Sequence, residues 1–222
     1  MQKLVRRPET VKKNHYSAIG KYQSSKVAAS YDERRFGGWF GRLKHWNTEQ
    51  VLARAFSMVG PDATVLDLAC GTGRFIPLLE RKTHRWLGAD ISLEMLEVSR
   101  AKVMNAQRCR GFVRSDAERL PFKSDSVACV MAIRFIHHIP CPHRQHMLRE
   151  FRRVTKDWLV IEWKVSNPLN AFIRHAVRRR VKPISGPEEV RKELHEAGFR
   201  VAAMLPVSCV FSNAVIFIAR KQ

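Results

Sequence analysis

The chain has 222 residues, of which 45% are hydrophobic and 27% charged, and 40 lysines and arginines against 20 aspartates and glutamates give it a formal charge of +20. That length suits one α/β domain with a full core and is short for two, and the hydrophobic content excludes a wholly disordered chain. No apolar run approaches the roughly 20 residues of a membrane span, and Met1 to Gly20 lacks the apolar core of a secretory signal.

The expected setting is therefore intracellular and cytoplasmic, with peripheral attachment to a membrane surface open. An organelle presequence also stays open, because Met1 to Lys26 is basic and nearly free of acids. The positive charge attracts polyanions, whether nucleic acid, an anionic membrane surface or an acidic substrate, or it reflects solvated basic faces. The cysteines (Cys70, Cys109, Cys129, Cys141 and Cys209) form no CxxC pair, as expected of reduced thiols.

In chain order, residues 1–26 read as a flexible basic arm and residues 27–222 as a single domain. Residues 27–59 form a helical cap broken at Gly37-Gly38, with Leu43, Trp46, Val51, Leu52, Ala55, Phe56 and Met58 at helical spacings. After the turn dipeptide Gly60-Pro61, Val65 to Leu68 is a short buried strand. Gly71 and Gly73 then allow a sharp bend and close approach to a ligand, and the pattern turns helical from Thr72. Such a bend offers free backbone N–H groups to a nucleotide-type ligand.

Arg85 to Asp90 is the next strand, and Asp90 stands about 20 residues beyond the bend, where a carboxylate can accept both hydroxyls of a ribose. Ser92 caps a helix that buries Met95, Leu96 and Val98. Strands follow at Gly111 to Arg114, Val127 to Ile133 and Trp158 to Ile161, with a helix opened by Pro142 between the last two. Residues 187–197 form a helix closed by Gly198, and Phe199 to Leu205 and Val207 to Ala219 are the last strands. Alternating strands and helices indicate a parallel sheet with crossover helices.

Asp67-Leu-Ala-Cys-Gly-Thr-Gly73 resembles motif I of class I S-adenosylmethionine (SAM)-dependent methyltransferases. Asp90-Ile91-Ser92 with Met95-Leu96 resembles their second motif, and Asp116 to Phe122 the segment that meets the adenine. Ile136-His137-His138-Ile139-Pro140 resembles the segment after the fourth strand in the subgroup with the ubiquinone/menaquinone-biosynthesis methyltransferases. The resemblance covers residues 60 to 160. It implies a Rossmann-like fold, with a seven-stranded, mostly parallel sheet, an antiparallel last strand and helices on both faces.

The resemblance implies SAM as cofactor and assigns roles by position. Asp67, Ala69, Cys70, Gly71 and Gly73 would surround its methionine end, and Asp90 would take the ribose hydroxyls with Ile91 against the adenine. Asp116 would accept from the adenine amino group, the Ala117 backbone would donate to the ring, and Ala132 and Ile133 would border the methionine portion. The region before the first strand covers the cofactor in this family. Tyr31, Phe36, Trp39 and Phe40 are therefore lid or substrate-binding residues, with plain core packing as the alternative.

Methyl transfer from a sulfonium needs alignment more than acid–base chemistry, so catalytic residues are less legible than cofactor residues. His137 is the candidate base and His138 a candidate substrate contact, unless the pair packs and caps the next helix. Arg134 either faces the pocket, where it would favour an anionic acceptor, or is one more surface cation. His137, His138, Cys141, His143 and His146 match no structural zinc spacing, and no metal is expected.

Residues 164–186 read as a basic amphipathic insertion, with Leu169, Phe172, Ile173, Ala176, Val177 and Val181 on one face amid arginines. It suits an anionic bilayer, a phosphate backbone, or the role of an ordinary cover helix. The expected acceptor is a small molecule or a lipid-like, amphiphilic compound. RNA, tRNA in particular, is the alternative, and a catalytically silent SAM- or polyanion-binding module is the reading from another class. The oligomeric state and the methylated atom stay open.

Overall fold

The computed structural model describes residue 32 and residues 38–103, 106–166, 185–207 and 213–222. Helix α1 spans Trp39–Val59, followed by β1 Thr64–Leu68, α2 Ile76–Lys82, β2 Arg85–Asp90, α3 Leu93–Ala101, β3 Cys109–Arg114 and β4 Val127–Ala132. A 3₁₀ turn at Ile136–His138 leads to α4 Cys141–Val154, β5 Thr155–Lys164, α5 Pro187–Glu196, β6 Phe199–Pro206 and β7 Ala214–Lys221. The basic arm and most of the basic insertion lie outside the described residues. Among those described, no helix is long and apolar enough to cross a membrane.

The seven strands form one sheet in the order β3-β2-β1-β4-β5-β7-β6. Strands β1 to β5 are mutually parallel, and β7 runs antiparallel to both β5 and β6. The chain leaves β1 toward β2 on one side and returns to β4 on the other, so a crevice opens beyond the carboxyl ends of β1 and β4. The sheet and its antiparallel end match the expected fold.

Alternation along the strands assigns each side chain to a layer. Leu66, Leu68, Val130, Ala132, Leu159 and Ile161 share one core with Leu148 and Phe151 of α4 and Leu194 of α5. Val65, Cys129, Met131, Ile133 and Val160 share the other with Leu52 and Phe56 of α1 and Leu78 of α2. The apolar run of β4 is buried on both faces because β1 and β5 flank it and helices cover it.

Three expectations change in detail. Helix α2 starts at Ile76 rather than Thr72, because Gly71 and Gly73 have φ of 55° and 72°, outside the right-handed helical region. Helix α1 buries Val51, Leu52, Ala55 and Phe56, but Leu43, Trp46 and Met58 are exposed, since a turn of about 100° per residue carries them to other sides. In α3, Met95, Leu96 and Ser99 are the buried residues, with Val98 only partly covered. Ser92 caps α3 as expected, its Oγ accepting from Met95 N at 3.2 Å.

Candidate active site

The bend after β1 holds three left-handed residues in quick succession, Ala69, Gly71 and Gly73. Ala69, with φ of 56°, has a Cβ and so carries roughly 1–2 kcal/mol of strain, which surrounding bonds must offset. Cys70 N donates to Ala89 O at 3.1 Å, Gly71 N to Asp90 Oδ2 at 2.8 Å, and Ser99 Oγ to Gly71 O at 2.8 Å. Strand β2 and helix α3 thus hold the bend in shape. The Cys70 thiol is buried, and burial with the charges of Asp67 and Asp90 pushes its pKa up, so it stays a protonated packing group.

The two glycines have different surroundings. A Cβ on Gly73 would lie 2.4 Å from Ile76 Cδ1 and 2.8 Å from Ser99 Oγ, whereas one on Gly71 would meet nothing within 4 Å. Gly73→Ala should therefore cost roughly 2–4 kcal/mol through clash and backbone strain, and Gly71→Ala only the roughly 1–2 kcal/mol of strain. Thermal denaturation of both variants checks this, and a larger loss for Gly71→Ala would contradict it. The free space at Gly71 is where a ligand can meet backbone.

Two carboxylates flank the bend. Asp67, on β1, is 2% exposed, and its Oδ2 has no hydrogen-bond partner among the described residues. Burial, and then the charge of Asp90, raises its pKa well above the ordinary value. Asp90 accepts from Ser92 N at 2.9 Å and from Gly71 N at 2.8 Å. Burial raises its pKa too, against the opposing pull of backbone N–H groups. Among the described residues no cation pairs with either carboxylate. A buried acid beside a half-buried one, without a cation, is costly alone and suits a cationic, hydroxyl-bearing ligand.

Beyond β3, Asp116 Oδ1 accepts from Glu118 N at 3.0 Å in a tight turn, and Ala117 is buried. Ser115 N donates to Asp90 O at 3.0 Å, and its buried Oγ has no partner, a second open polar atom beside Asp90 that sequence reasoning passed over. Ile91 is half-buried at the end of β2. Ala132 and Ile133 sit at the end of β4 but join opposite cores, so only Ile133 shares the face of Asp67.

On the β4–β5 side, Arg134 turns inward with φ of 59°. Its Nη2 donates to Thr48 Oγ1 of α1 at 3.2 Å, and its Nε lies 3.9 Å from Glu162 Oε2 of β5. Arg134 is thus held between α1 and β5 rather than standing out as a surface cation. Glu162 is buried and its pKa raised by burial, partly offset by Arg134, Lys44 and Lys164. Removing the guanidinium by Arg134→Met should destabilise the fold by about 3 kcal/mol, and adding Glu162→Gln should recover much of that loss. Urea unfolding of both variants reads this, and a double variant no more stable than the single would refute a charge-based coupling.

Helix α1 lies over this end of the crevice. His45 packs against Phe75 with ring centroids 5.4 Å apart. Burial, with the charges of Arg74 and Arg134, lowers its pKa to about 4 and keeps it neutral at pH 7. Asp32 accepts from Thr72 Oγ1 at 2.8 Å and pairs with Lys102 at 2.7 Å, which ties Asp32 to the bend. Tyr31 and Phe36 lie outside the described residues, while Trp39 and Phe40 are exposed with their ring centroids 4.7 Å apart.

His137 is half-buried and His138 exposed in the 3₁₀ turn, with ring centroids 4.1 Å apart. His143 bonds Glu118, and among the described residues no group of His, Cys, Asp and Glu is placed to hold a metal ion. Glu162, Thr48, His45, Ser115 and Asp32 are site residues that sequence reasoning missed. For Glu162 there was a signal, a lone acid in the apolar run Trp158 to Trp163.

Residues 65–157 match a family model described as a methyltransferase domain. The chain is 30% identical over 181 residues to the ubiquinone/menaquinone biosynthesis C-methyltransferase UbiE of Hahella chejuensis, covering 76% of this chain and 67% of that protein. It is 29% identical over 182 residues to a demethylmenaquinone methyltransferase of Mycobacterium bovis, covering 77% of this chain and 72% of that one. It is also 29% identical to an uncharacterized 37.1 kDa protein in transposon TN4556 of Streptomyces fradiae, covering 69% of this chain and 48% of that protein. The chain thus spans between about half and three quarters of the length of these curated relatives. In fold it is similar to magnesium protoporphyrin IX methyltransferase from Synechocystis PCC 6803 with bound SAH, with a TM-score of 0.73, 18% identity and coverage of 90% of this chain and 98% of that one.

Proposed function

The chain belongs to the class I SAM-dependent methyltransferases of the UbiE type, with SAM as cofactor, and on that premise we propose that it methylates a small or amphiphilic acceptor that enters over the carboxyl ends of β4 and β5. The observation that carries this reading is the pair of acids astride the bend, Asp67 buried and Asp90 half-buried, with an open Asp67 oxygen and no paired cation among the described residues.

The residues present fit this cofactor. Asp67 Oδ2 offers an acceptor to the ammonium, and the open side of Gly71 allows backbone approach. Asp90 accepts from the backbone N–H groups of Gly71, Ser92 and Ile91, and its remaining acceptor capacity would take the ribose hydroxyls. Asp116 and the Ala117 N–H would hold the adenine, and Ile91 would pack on it. When bound, SAM supplies a methyl group on a sulfonium whose leaving group is a neutral thioether. The protein's work is then alignment and exclusion of water, which α1 performs by closing over Phe75 and Arg134.

On the acceptor side, Arg134 orients an oxygen-bearing or anionic acceptor, His138 borders it, and His137 takes the proton when the acceptor must lose one. The relatives named for quinone biosynthesis support an amphiphilic ring acceptor. RNA is the second reading, favoured by the charge of +20. The test is transfer of labelled methyl from SAM into a fractionated extract. Label in the lipid-soluble or small-molecule pool is expected; label confined to RNA or protein would overturn the acceptor assignment. SAM binding with no label in any pool would point to a silent binding module.

A further inference from the structure

Helix α1 presents two apolar faces, and the catalytic reading uses only one. The inner face buries Val51, Leu52, Ala55 and Phe56 and sends Thr48 to Arg134. On the outer side of its first two turns, Trp39 is 64% exposed, Phe40 78%, Leu43 40% and Trp46 56%. At about 100° per residue, Trp39, Leu43 and Trp46 fall within roughly 60° of one another, opposite Thr48, with Phe40 at the margin. Two indoles and a phenyl ring held in water on one helix are more than scattered surface apolars.

Arg42 and Arg54 are exposed on the same side of the helix as the stripe, and the first acid of the helix, Glu49, lies 4.0 Å from His45. The whole chain carries +20. Indoles favour the boundary between headgroups and acyl chains, where the ring is apolar and the N–H stays wet, and lysines and arginines beside them favour anionic headgroups. An apolar protein partner would match the rings and leave the cations unpaired.

We propose that the outer face of α1, through Trp39, Phe40, Leu43 and Trp46 with Arg42 and Arg54, docks the enzyme on an anionic lipid surface. The inner face of the same helix covers the β4–β5 end of the crevice, so docking sets the acceptor entrance against the bilayer. The proposal rests on the amphiphilic-acceptor reading and adds the surface from which that acceptor arrives.

The test is co-sedimentation of the full chain with vesicles of phosphatidylcholine alone and of phosphatidylcholine with an equal part of phosphatidylglycerol. Binding to the anionic vesicles is expected, at least about tenfold stronger than to the neutral ones and falling with salt. The double substitution Leu43→Ser with Trp46→Ser, at exposed positions, should weaken that binding at least about tenfold while SAM affinity by calorimetry is unchanged. No sedimentation with either vesicle, or binding that the double substitution leaves intact, overturns the proposal. So does light scattering that shows a dimer which the double substitution dissociates, since a second copy would then cover the face. Labelled-methyl transfer in detergent, without vesicles, reads the acceptor assignment separately, so the two can fail independently.

Discussion

Asp90→Ala should weaken SAM binding by about 100- to 1000-fold with the sheet and helices intact. The carboxylate has two tasks: it anchors the bend through Gly71 N and Ser92 N, and it keeps lone pairs for the ribose hydroxyls. Hydrogen bonds to a charged group contribute about 1.5–3 kcal/mol each, and two of them reach that range of affinity. Asp90→Asn keeps one acceptor oxygen and should lose only about tenfold. Calorimetry on both variants, with circular dichroism as the check on folding, reads the outcome. A loss below about fivefold for Asp90→Ala would reduce this residue to a loop anchor.

Asp67→Asn should move stability and cofactor affinity in opposite directions. The Asp67 pKa is raised in the folded protein by burial and by Asp90, so the folded state takes up a proton more readily than the unfolded chain. Its contribution is fully present below the unfolded pKa and is lost as pH rises through the raised folded value. At neutral pH the ligand-free protein is therefore destabilised by this buried carboxyl, which must either carry a buried charge or take up a proton. Asparagine removes that cost and should raise the ligand-free Tm by about 2–6 °C, the equivalent of one to two kcal/mol for a chain of this size. The same change takes a carboxylate from the ammonium and should weaken SAM binding by about 10- to 100-fold.

The pH profile gives this prediction a second reading. The stability gain of Asp67→Asn over the parent should vanish below about pH 4, where the parent carboxyl is protonated in both states, and grow as pH rises. Glu162 and His45 also titrate with shifted values, but they are common to parent and variant and drop out of the difference. A variant less stable than the parent at neutral pH would mean that Asp67 holds the bend through bonds of its own.

The parts of the molecule that hydropathy period and glycine placement control were legible before the fold was known. Strand β2 runs from Arg85 to Asp90 as read, because apolar residues and a terminal acid mark its limits. The antiparallel end of the sheet followed from family resemblance rather than from periodicity. Helix α1 shows where the period misleads. Leu43 and Trp46 belong to the same helix as Leu52 and Phe56 but look outward, and an apolar count cannot distinguish one broad face from two opposed ones.

Residues that act through distant partners were not legible. Asp32 binds Thr72 forty positions on, and Thr48 reaches Arg134 across 86, so no local pattern could reveal either contact. The inward turn of Arg134 depends on a left-handed backbone that sequence leaves open for a non-glycine residue. Glu162 could have been suspected, because an acid inside a buried strand is costly and is kept only where something requires it.

The most direct measurement is calorimetric titration of the purified chain with SAM and, separately, with NAD. The acids of β1 and β2 require that SAM binds one per chain and that NAD, which brings pyrophosphate charge to two uncompensated carboxylates, does not compete with it. Heat on addition of NAD, or its absence with SAM, would contradict the account at its root.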